Sequence, residues 1–198
     1  MQPAPTLVVE NLALARGDRT LFAAFSLTLA AGEVVHLTGR NGAGKTSLLE
    51  TIAGLRQPES GQLSVPPPDE LHWIGHKNGL HPALSAVENL QFWCGLVGAD
   101  AAGIAPALDR LQLKAARHRP SRTLSTGQRR RTALARLLLS RRSWWLLDEP
   151  LAGLDVQGAA LFAELVAEHR AAGGALLLTS HQALPPRCGV IRDVELRA

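Results

Sequence analysis

The sequence predicts an α/β fold in which strands and helices alternate around a parallel sheet, with an antiparallel β lobe at its N-terminal side and a helical lobe inserted into it. Three observations carry that expectation. Residues 39–46 read Gly-Arg-Asn-Gly-Ala-Gly-Lys-Thr, a glycine-rich turn between a strand-like run at 34–38 and a helix-like run at 45–53. Residues 144–147 and 175–178 are short, wholly apolar runs with the length of buried strands. From residue 76 to about 123 the chain changes character: Ala, Leu and Arg dominate, and apolar residues recur at helical spacing.

Residues 6–15 read as a strand, Gly17-Asp18 as a turn, and residues 25–29 alternate again before Ala31-Gly32 turns into the run at 34–38; together these make the antiparallel lobe. The helix at 45–53 puts Leu48, Leu49 and Ile52 on one face, with Gly54 as its C-cap. After a turn at Pro58-Glu59-Ser60-Gly61, short strands are expected at 62–65 and 71–75, kept apart by Pro66-Pro67-Pro68, which no central strand could contain. Helical spacing follows in Val87, Leu90, Phe92 and Trp93, then in Ile104, Leu108, Leu111 and Leu113. A helix at about 126–140, a strand at 144–147, a helix at 156–171, a strand at 175–179 and a β-like end around 190–196 complete the chain. The expectation is one domain over 1–198, with a core and β lobe from 1–75 and 141–198 and a helical lobe from about 76–140. No internal repeat and no disordered tail are read.

With 198 residues and 46% hydrophobic content, the chain can bury one substantial core. The net charge of +4 and a pI near 9.8 would permit a nucleic acid or an anionic membrane surface as partner. The arginines, however, fall in short groups (129–131, 141–142) with no aromatics between them, so no nucleic-acid partner is expected. Cys94 and Cys188 lie far apart with no Cys-x-x-Cys spacing and are expected as free thiols of a reducing cytosol. The seven histidines show no metal-ligand pairing. No stretch reads as a secretory signal, and no apolar run approaches the ~18 residues of a membrane span, so a role at a membrane would need another chain to cross it.

Gly39, Arg40, Asn41, Gly42, Ala43, Gly44, Lys45 and Thr46, with Ser47 after them, fit the Gly-x-x-x-x-Gly-Lys-Ser/Thr pattern of a phosphate-binding loop. Glycines let the backbone curl until several N–H groups face one phosphate, and the following helix adds its positive dipole end. Lys45 supplies a point charge for the β- and γ-phosphates, and the Thr46 hydroxyl can hold Mg²⁺. Read without its flanks, the stretch is only a glycine-rich turn with a lysine. The buried run at 144–147 ends in Asp148-Glu149-Pro150. Consecutive strand residues point to opposite sides, so Asp148 can reach the Mg²⁺ sphere while Glu149 faces a water as general base, a role worth roughly 10²–10⁴-fold in rate. An Asp-Glu-Pro turn after any core strand is the plainer alternative.

Leu124-Ser125-Thr126-Gly127-Gln128 adds a third element. Ser125 is an N-cap, Gly127 allows close backbone approach, and the helix beginning here offers N–H groups to an anion. Arg129, Arg130 and Arg131 occupy its first turns, where each cation opposes the helix dipole by roughly 0.3–1 kcal/mol at exposed sites. That arrangement suggests a helix end that meets negative charge; three solvated arginines are the alternative.

Taken with the glycine-rich loop, Leu-Ser-Thr-Gly-Gln about twenty residues before Trp-Trp-Leu-Leu-Asp-Glu-Pro, then Leu-Ala-Gly-Leu-Asp and His181 after the next strand, resembles the ATPase subunit of ABC transporters over nearly the whole chain. The resemblance implies a P-loop NTPase (RecA-like) core carrying the β lobe and the inserted helical lobe, and ATP with Mg²⁺ as ligands. It further implies two nucleotide domains closing head to tail, so that Ser125, Gly127 and Gln128 serve the nucleotide of a second copy. By the same resemblance Asp155 communicates across that interface, and His181 holds the γ-phosphate or the attacking water. Where most such ATPases have Gln after the strand that follows the P-loop helix, this chain has His76, which is shorter and titratable. With Glu88-Asn89-Leu90-Gln91-Phe92-Trp93 and residues 124–139, this is similar to the ATP-binding subunit family of the haem exporter in bacterial cytochrome c maturation. That resemblance implies integral membrane subunits as partners and a place at the cytoplasmic face of the bacterial inner membrane. Phe92, Trp93 and Leu96 form a candidate docking patch, with packing inside the lobe as the alternative. Arg16 stands where an adenine-stacking aromatic is usual, which predicts loose discrimination among purine triphosphates.

Other ABC exporters and importers would share every residue named. A soluble ABC protein acting on nucleic acid is expected to carry a long coiled coil or a second nucleotide domain, and P-loop kinases and GTPases lack the Leu-Ser-x-Gly-Gln element.

Overall fold

The computed structural model describes residues 6–197; residues 1–5, counted above with the β lobe, and Ala198 lie outside the described part. Two sheets organise it. Strands β1 (Thr6–Arg16) and β2 (Arg19–Ala30) form an antiparallel hairpin, and β4 (Ser60–Ser64) returns to pair antiparallel with β1, giving the order β2-β1-β4. The second sheet is parallel. It contains β3 (Val34–Thr38), β5 (Leu71–Ile74), β6 (Trp144–Leu147), β7 (Ala175–Thr179) and β8 (Arg192–Glu195) in the order β5-β6-β7-β3-β8.

Both faces of the parallel sheet are covered at its centre, which is why β6 and β7 read as apolar runs without polar alternation, whereas the edge strand β8 is mostly exposed. Successive side chains point to opposite faces. Trp144, Leu146, Val35, Leu37 and Leu177 join a core with the β lobe and with helix α1 (Lys45–Ile52). Trp145, Leu147, Val34, Leu176 and Leu178 join a second core with the remaining helices. Those are α2 (Ala86–Val97), α3 (Ile104–Arg110), α4 (Thr126–Leu134), α5 (Arg136–Leu139) and α6 (Val156–Ala171). Because α2 to α5 lie between β5 and β6 in sequence, the helical segment is an insertion into the alternating chain, as expected.

Local chemistry sets the helix starts. Ser85 and Glu88 form a reciprocal capping box at α2, and Ser125 and Gln128 form another at α4. Several expected boundaries move: the strand expected at 62–65 runs over Ser60–Ser64, the run at 25–29 belongs to the longer β2, and two helix ends shift as well. The helix expected over 126–140 breaks at Ala135, where Leu138 N–H bonds back three residues to the Ala135 carbonyl and so tightens the turn. Leu111 and Leu113, grouped above with helical spacing, lie past the end of α3: Gln112 takes φ 56° and Leu113 N–H reaches the Leu108 carbonyl, which closes the helix. On α2, Phe92 and Leu96 are 65% and 69% exposed, whereas Trp93 is half-buried and stacks with His72. No helix among the described residues is long and apolar enough to cross a membrane.

Candidate nucleotide-binding site

Three neighbouring strands, β3, β7 and β6, end at the same edge of the parallel sheet, and each hands its chain to a loop bearing polar groups. The loop after β3 holds residues 39–46. Gly39, Gly42 and Gly44 have φ of 136°, 80° and 103°, and a Cβ on Gly39 would sit 2.5 Å from the Leu196 carbonyl oxygen. Gly44 precedes α1 in a left-handed conformation with no side chain capping the helix, so the first N–H groups of α1 stay open. Lys45 bends back over the loop, its Nζ donating to the carbonyls of Gly39 (2.7 Å) and Arg40 (3.2 Å).

The loop after β6 carries Asp148, which is 2% exposed, and Glu149. Thr46 Oγ1 donates to Asp148 Oδ2 (2.9 Å), and Thr179 Oγ1, at the end of β7, donates to Asp148 Oδ1 (2.7 Å). Thr179 also accepts from Glu149 N–H at 2.9 Å. One buried hydroxyl therefore ties the two carboxylate residues to the neighbouring strand. Glu149 and Asp148 do diverge, but by a different route from strand alternation: β6 stops at Leu147 and Glu149 adopts φ 52°, a left-handed turn. The Glu149 carboxylate accepts from His181 N–H (3.1 Å) and faces His181 Nε2 at 3.5 Å.

These groups surround a cleft of about 520 Å³. Asn41, Gly42, Gly44, Lys45, Thr46 and Ser47 line it, with Asp148, Glu149 and His181. Arg16 and His76 are exposed at its wall. Gly39 and Arg40 contribute from behind through their carbonyls to Lys45, and Ala43 is buried in the core beneath. Thr46 and Asp148 offer converging hydroxyl and carboxylate oxygens, a hard-oxygen set of the kind that suits Mg²⁺, an ion that keeps several waters and takes few protein ligands.

Ser125, Gly127, Gln128 and Asp155 do not line this cleft. Ser125 Oγ accepts from Gln128 N–H while Gln128 Oε1 accepts from Ser125 N–H, so both side chains cap α4. A Cβ on Gly127 would lie 2.8 Å from the Gly153 carbonyl oxygen, which is the close backbone approach expected of it, and Gly153 itself lines the cleft. Asp155 caps α6 by accepting from Gly158 N–H at 2.7 Å.

The three arginines of α4 turn inward onto backbone carbonyls, Arg130 fully and Arg129 and Arg131 half-buried. Arg129 donates to the Leu124 carbonyl, Arg131 to the Leu111 carbonyl, and Arg130 is 2% exposed. Its guanidinium donates to the carbonyls of Gly75, Asp148, Glu149 and Pro150 and to Asn78 Oδ1. Burial pushes it down to about 10, opposed by the Asp148 and Glu149 charges, so it stays a cation at neutral pH. Sequence reasoning missed Thr179 and Arg130. A hydroxyl closing the apolar run at 175–178 was a signal for Thr179; for Arg130 the unfavourable run of cations at the start of α4 was the signal, and its carbonyl partners lie far off in sequence.

A parallel sheet with a glycine-rich phosphate loop, an adjoining acidic strand end and a cleft between them defines a P-loop nucleoside-triphosphate-binding protein. The ABC transporter family matches residues 22–152. A cytochrome c biogenesis ATP-binding export protein CcmA of Hyphomonas neptunium is 46% identical over 180 residues, covering 91% of this chain and 92% of that protein. The protein of that name from Rhodobacter capsulatus is 46% identical over 175 residues, covering 88% and 80%. The chain belongs to the ABC transporter family, among the cytochrome c biogenesis ATP-binding export proteins. Two solved structures share its fold at lower identity: an ATP-binding subunit of an ABC transporter (TM-score 0.85, 22% identity, 98% of this chain and 89% of that one) and a putative ABC transporter ATP-binding protein from Pyrococcus furiosus (TM-score 0.81, 23%, 97% and 98%).

Proposed function

We propose that this chain is the ATPase subunit of a haem-export transporter serving cytochrome c biogenesis, hydrolysing Mg·ATP at a head-to-tail interface between two copies. The observation that carries this reading is the continuous chain of hydrogen bonds Thr46–Asp148–Thr179–Glu149–His181, which joins three strand ends around one cleft. Lys45 and the open N–H groups of α1 bind the phosphates; Lys45 exchanges its two loop carbonyls for phosphate oxygens. Thr46 and Asp148 would hold Mg²⁺, which supplies charge neutralisation at the β- and γ-phosphate oxygens when bound.

Glu149 orients a water and takes its proton; the backbone N–H of His181, donating to the Glu149 carboxylate, keeps that carboxylate aimed into the cleft, and the His181 imidazole holds the γ-phosphate or the attacking water. The capped N-terminus of α4, with Ser125, Gly127 and Gln128, serves the γ-phosphate in the other copy's cleft, and Asp155 works at the same interface. This accounts for residues of a nucleotide site that stand outside their own cleft. Arg16 faces the base and His76 the γ-phosphate.

The core with its β lobe is the catalytic part, and the helical lobe at about 76–140 carries the contact with integral membrane subunits at the cytoplasmic face of the bacterial inner membrane. Phe92 and Leu96, exposed one helical turn apart on α2, support that contact, and a groove of about 430 Å³ where Trp93 of this lobe meets Leu55, Val65 and Trp73 of the core would extend it. Membership of a transporter family argues for a cytosolic segment of a membrane subunit as its occupant.

Glu149→Gln tests the reading. The variant should keep ATP affinity, lose nearly all hydrolysis and elute as a nucleotide-bound dimer in Mg·ATP. Hydrolysis at the wild-type rate from a protein that stays monomeric would sink it.

A further inference from the structure

Arg130 offers every nitrogen of a buried guanidinium to the two loops that flank the cleft. Nη2 donates to the carbonyls of Asp148 and Glu149, Nε donates to the Pro150 carbonyl (3.3 Å), and Nη1 donates to the Gly75 carbonyl (2.9 Å) and Asn78 Oδ1 (3.0 Å). Three of those acceptors are consecutive carbonyls of a sharp turn whose middle residue, Glu149, has φ 52°. Carbonyl dipoles converging on one point repel each other, and a cation set among them turns that repulsion into attraction. Gly75 and Asn78 bracket His76, so the same planar group fixes the base of the His76 loop.

We propose that Arg130 is a positioning residue for hydrolysis: it clamps the Asp148–Pro150 turn to the His76 loop and so sets the direction in which the Glu149 carboxylate enters the cleft. The inference rests on the reading of Glu149 as general base. With its N–H held by Thr179 and its carbonyl held by Arg130, the Glu149 backbone has both ends fixed, and only its side-chain torsions remain. The His181 N–H then selects among those. Arg130 is too deeply buried to meet substrate, so its effect must pass through the turn. Neither lysine nor glutamine replaces it, because lysine donates from one point and glutamine has two donors, against a rigid five-donor fork.

The test uses the full chain with Arg130→Gln, Arg130→Lys, Glu149→Gln and the double variant Arg130→Gln/Glu149→Gln. Three quantities are read per folded molecule: melting behaviour, ATP affinity without Mg²⁺, and single-turnover hydrolysis. Arg130→Gln should bind ATP within about threefold of wild type yet hydrolyse it about 100-fold more slowly, the loss typical of a catalytic group displaced by about 1 Å, with Arg130→Lys in between. In the Glu149→Gln background the Arg130 change should add no further loss, because its effect runs through Glu149. A merely structural arginine would lower melting temperature and leave hydrolysis per folded molecule intact, or would multiply its loss with that of Glu149→Gln; either result overturns the inference. If Arg130→Gln fails to fold, unchanged hydrolysis in Arg130→Lys does the same. Hydrolysis by wild type that survives Glu149→Gln would instead overturn the reading of Glu149, and this inference with it.

Discussion

Thr179→Val removes one hydroxyl and almost no volume. Thr179 is fully buried, so no water can replace the lost group. Two partners are stranded: Asp148 Oδ1, which loses a donor at 2.7 Å, and Glu149 N–H, which loses an acceptor at 2.9 Å. A buried group left unsatisfied costs about 1–3 kcal/mol, with charged groups at the upper end, so the pair sums to about 2–6 kcal/mol. For a chain of this size that corresponds to a fall in melting temperature of about 5–15 °C. Thr179→Ser keeps the hydroxyl and loses only a methyl, at about 1 kcal/mol. Urea unfolding followed by circular dichroism measures both, and steady-state ATP hydrolysis on the same samples should fall at least about tenfold for Val and little for Ser. A Val variant within about 0.5 kcal/mol of wild type, or a Ser variant that loses as much as Val, would refute the claim that this hydroxyl secures the carboxylate turn.

Ser125→Arg should abolish turnover while ATP binding to the isolated chain stays unchanged, measured by equilibrium titration, because Ser125 stands outside its own cleft. Weaker binding to the monomer would contradict that placement. With Arg16 and Leu21 at the cleft wall and no tyrosine in the chain, ATP and GTP should be hydrolysed with kcat/KM within about tenfold of each other, and a larger preference measured in parallel assays would require another base-reading group. Burial holds the His72 imidazole down to about 4, against an ordinary 6.5, and burial lowers His169 as well. A depressed histidine contributes stability that is present above about pH 6.5 and lost as pH falls towards 4, up to about 3 kcal/mol for His72, so unfolding free energy should drop across that window and drop less steeply in His72→Gln.

The parallel sheet was legible nearly residue by residue. Residues 34–38 and 144–147 are strands with the expected bounds, and α6 spans 156–171 as read, because a run buried on both faces announces itself without reference to its neighbours. Elements defined by distant pairing were less legible. That β4 would turn back to β1 depends on Val8, Val9 and Glu10 meeting Ser64, Leu63 and Gln62, a register no local pattern contains. The break at Ala135 has no proline or glycine to mark it. Residues 39–46 were readable because a phosphate loop is made by consecutive residues, and Asp148 and Glu149 because they end a visible strand.

Part of the candidate site resisted reading for a physical reason: the partners of Arg130 and the left-handed turn at Glu149 make locally unfavourable features favourable only through residues far away in sequence. Three arginines in the first turns of α4 oppose its dipole, yet Arg130 recovers that cost from carbonyls at positions 75 and 148–150. A left-handed Glu149 costs on the order of 1–3 kcal/mol, yet Thr179, Arg130 and His181 hold its N–H, its carbonyl and its carboxylate. Local conflicts of this kind persist where surrounding structure over-determines them, and in this chain they converge on the turn from Asp148 to Pro150. The same convergence explains why Glu149, held at three points, can keep one orientation against a turn that would otherwise relax.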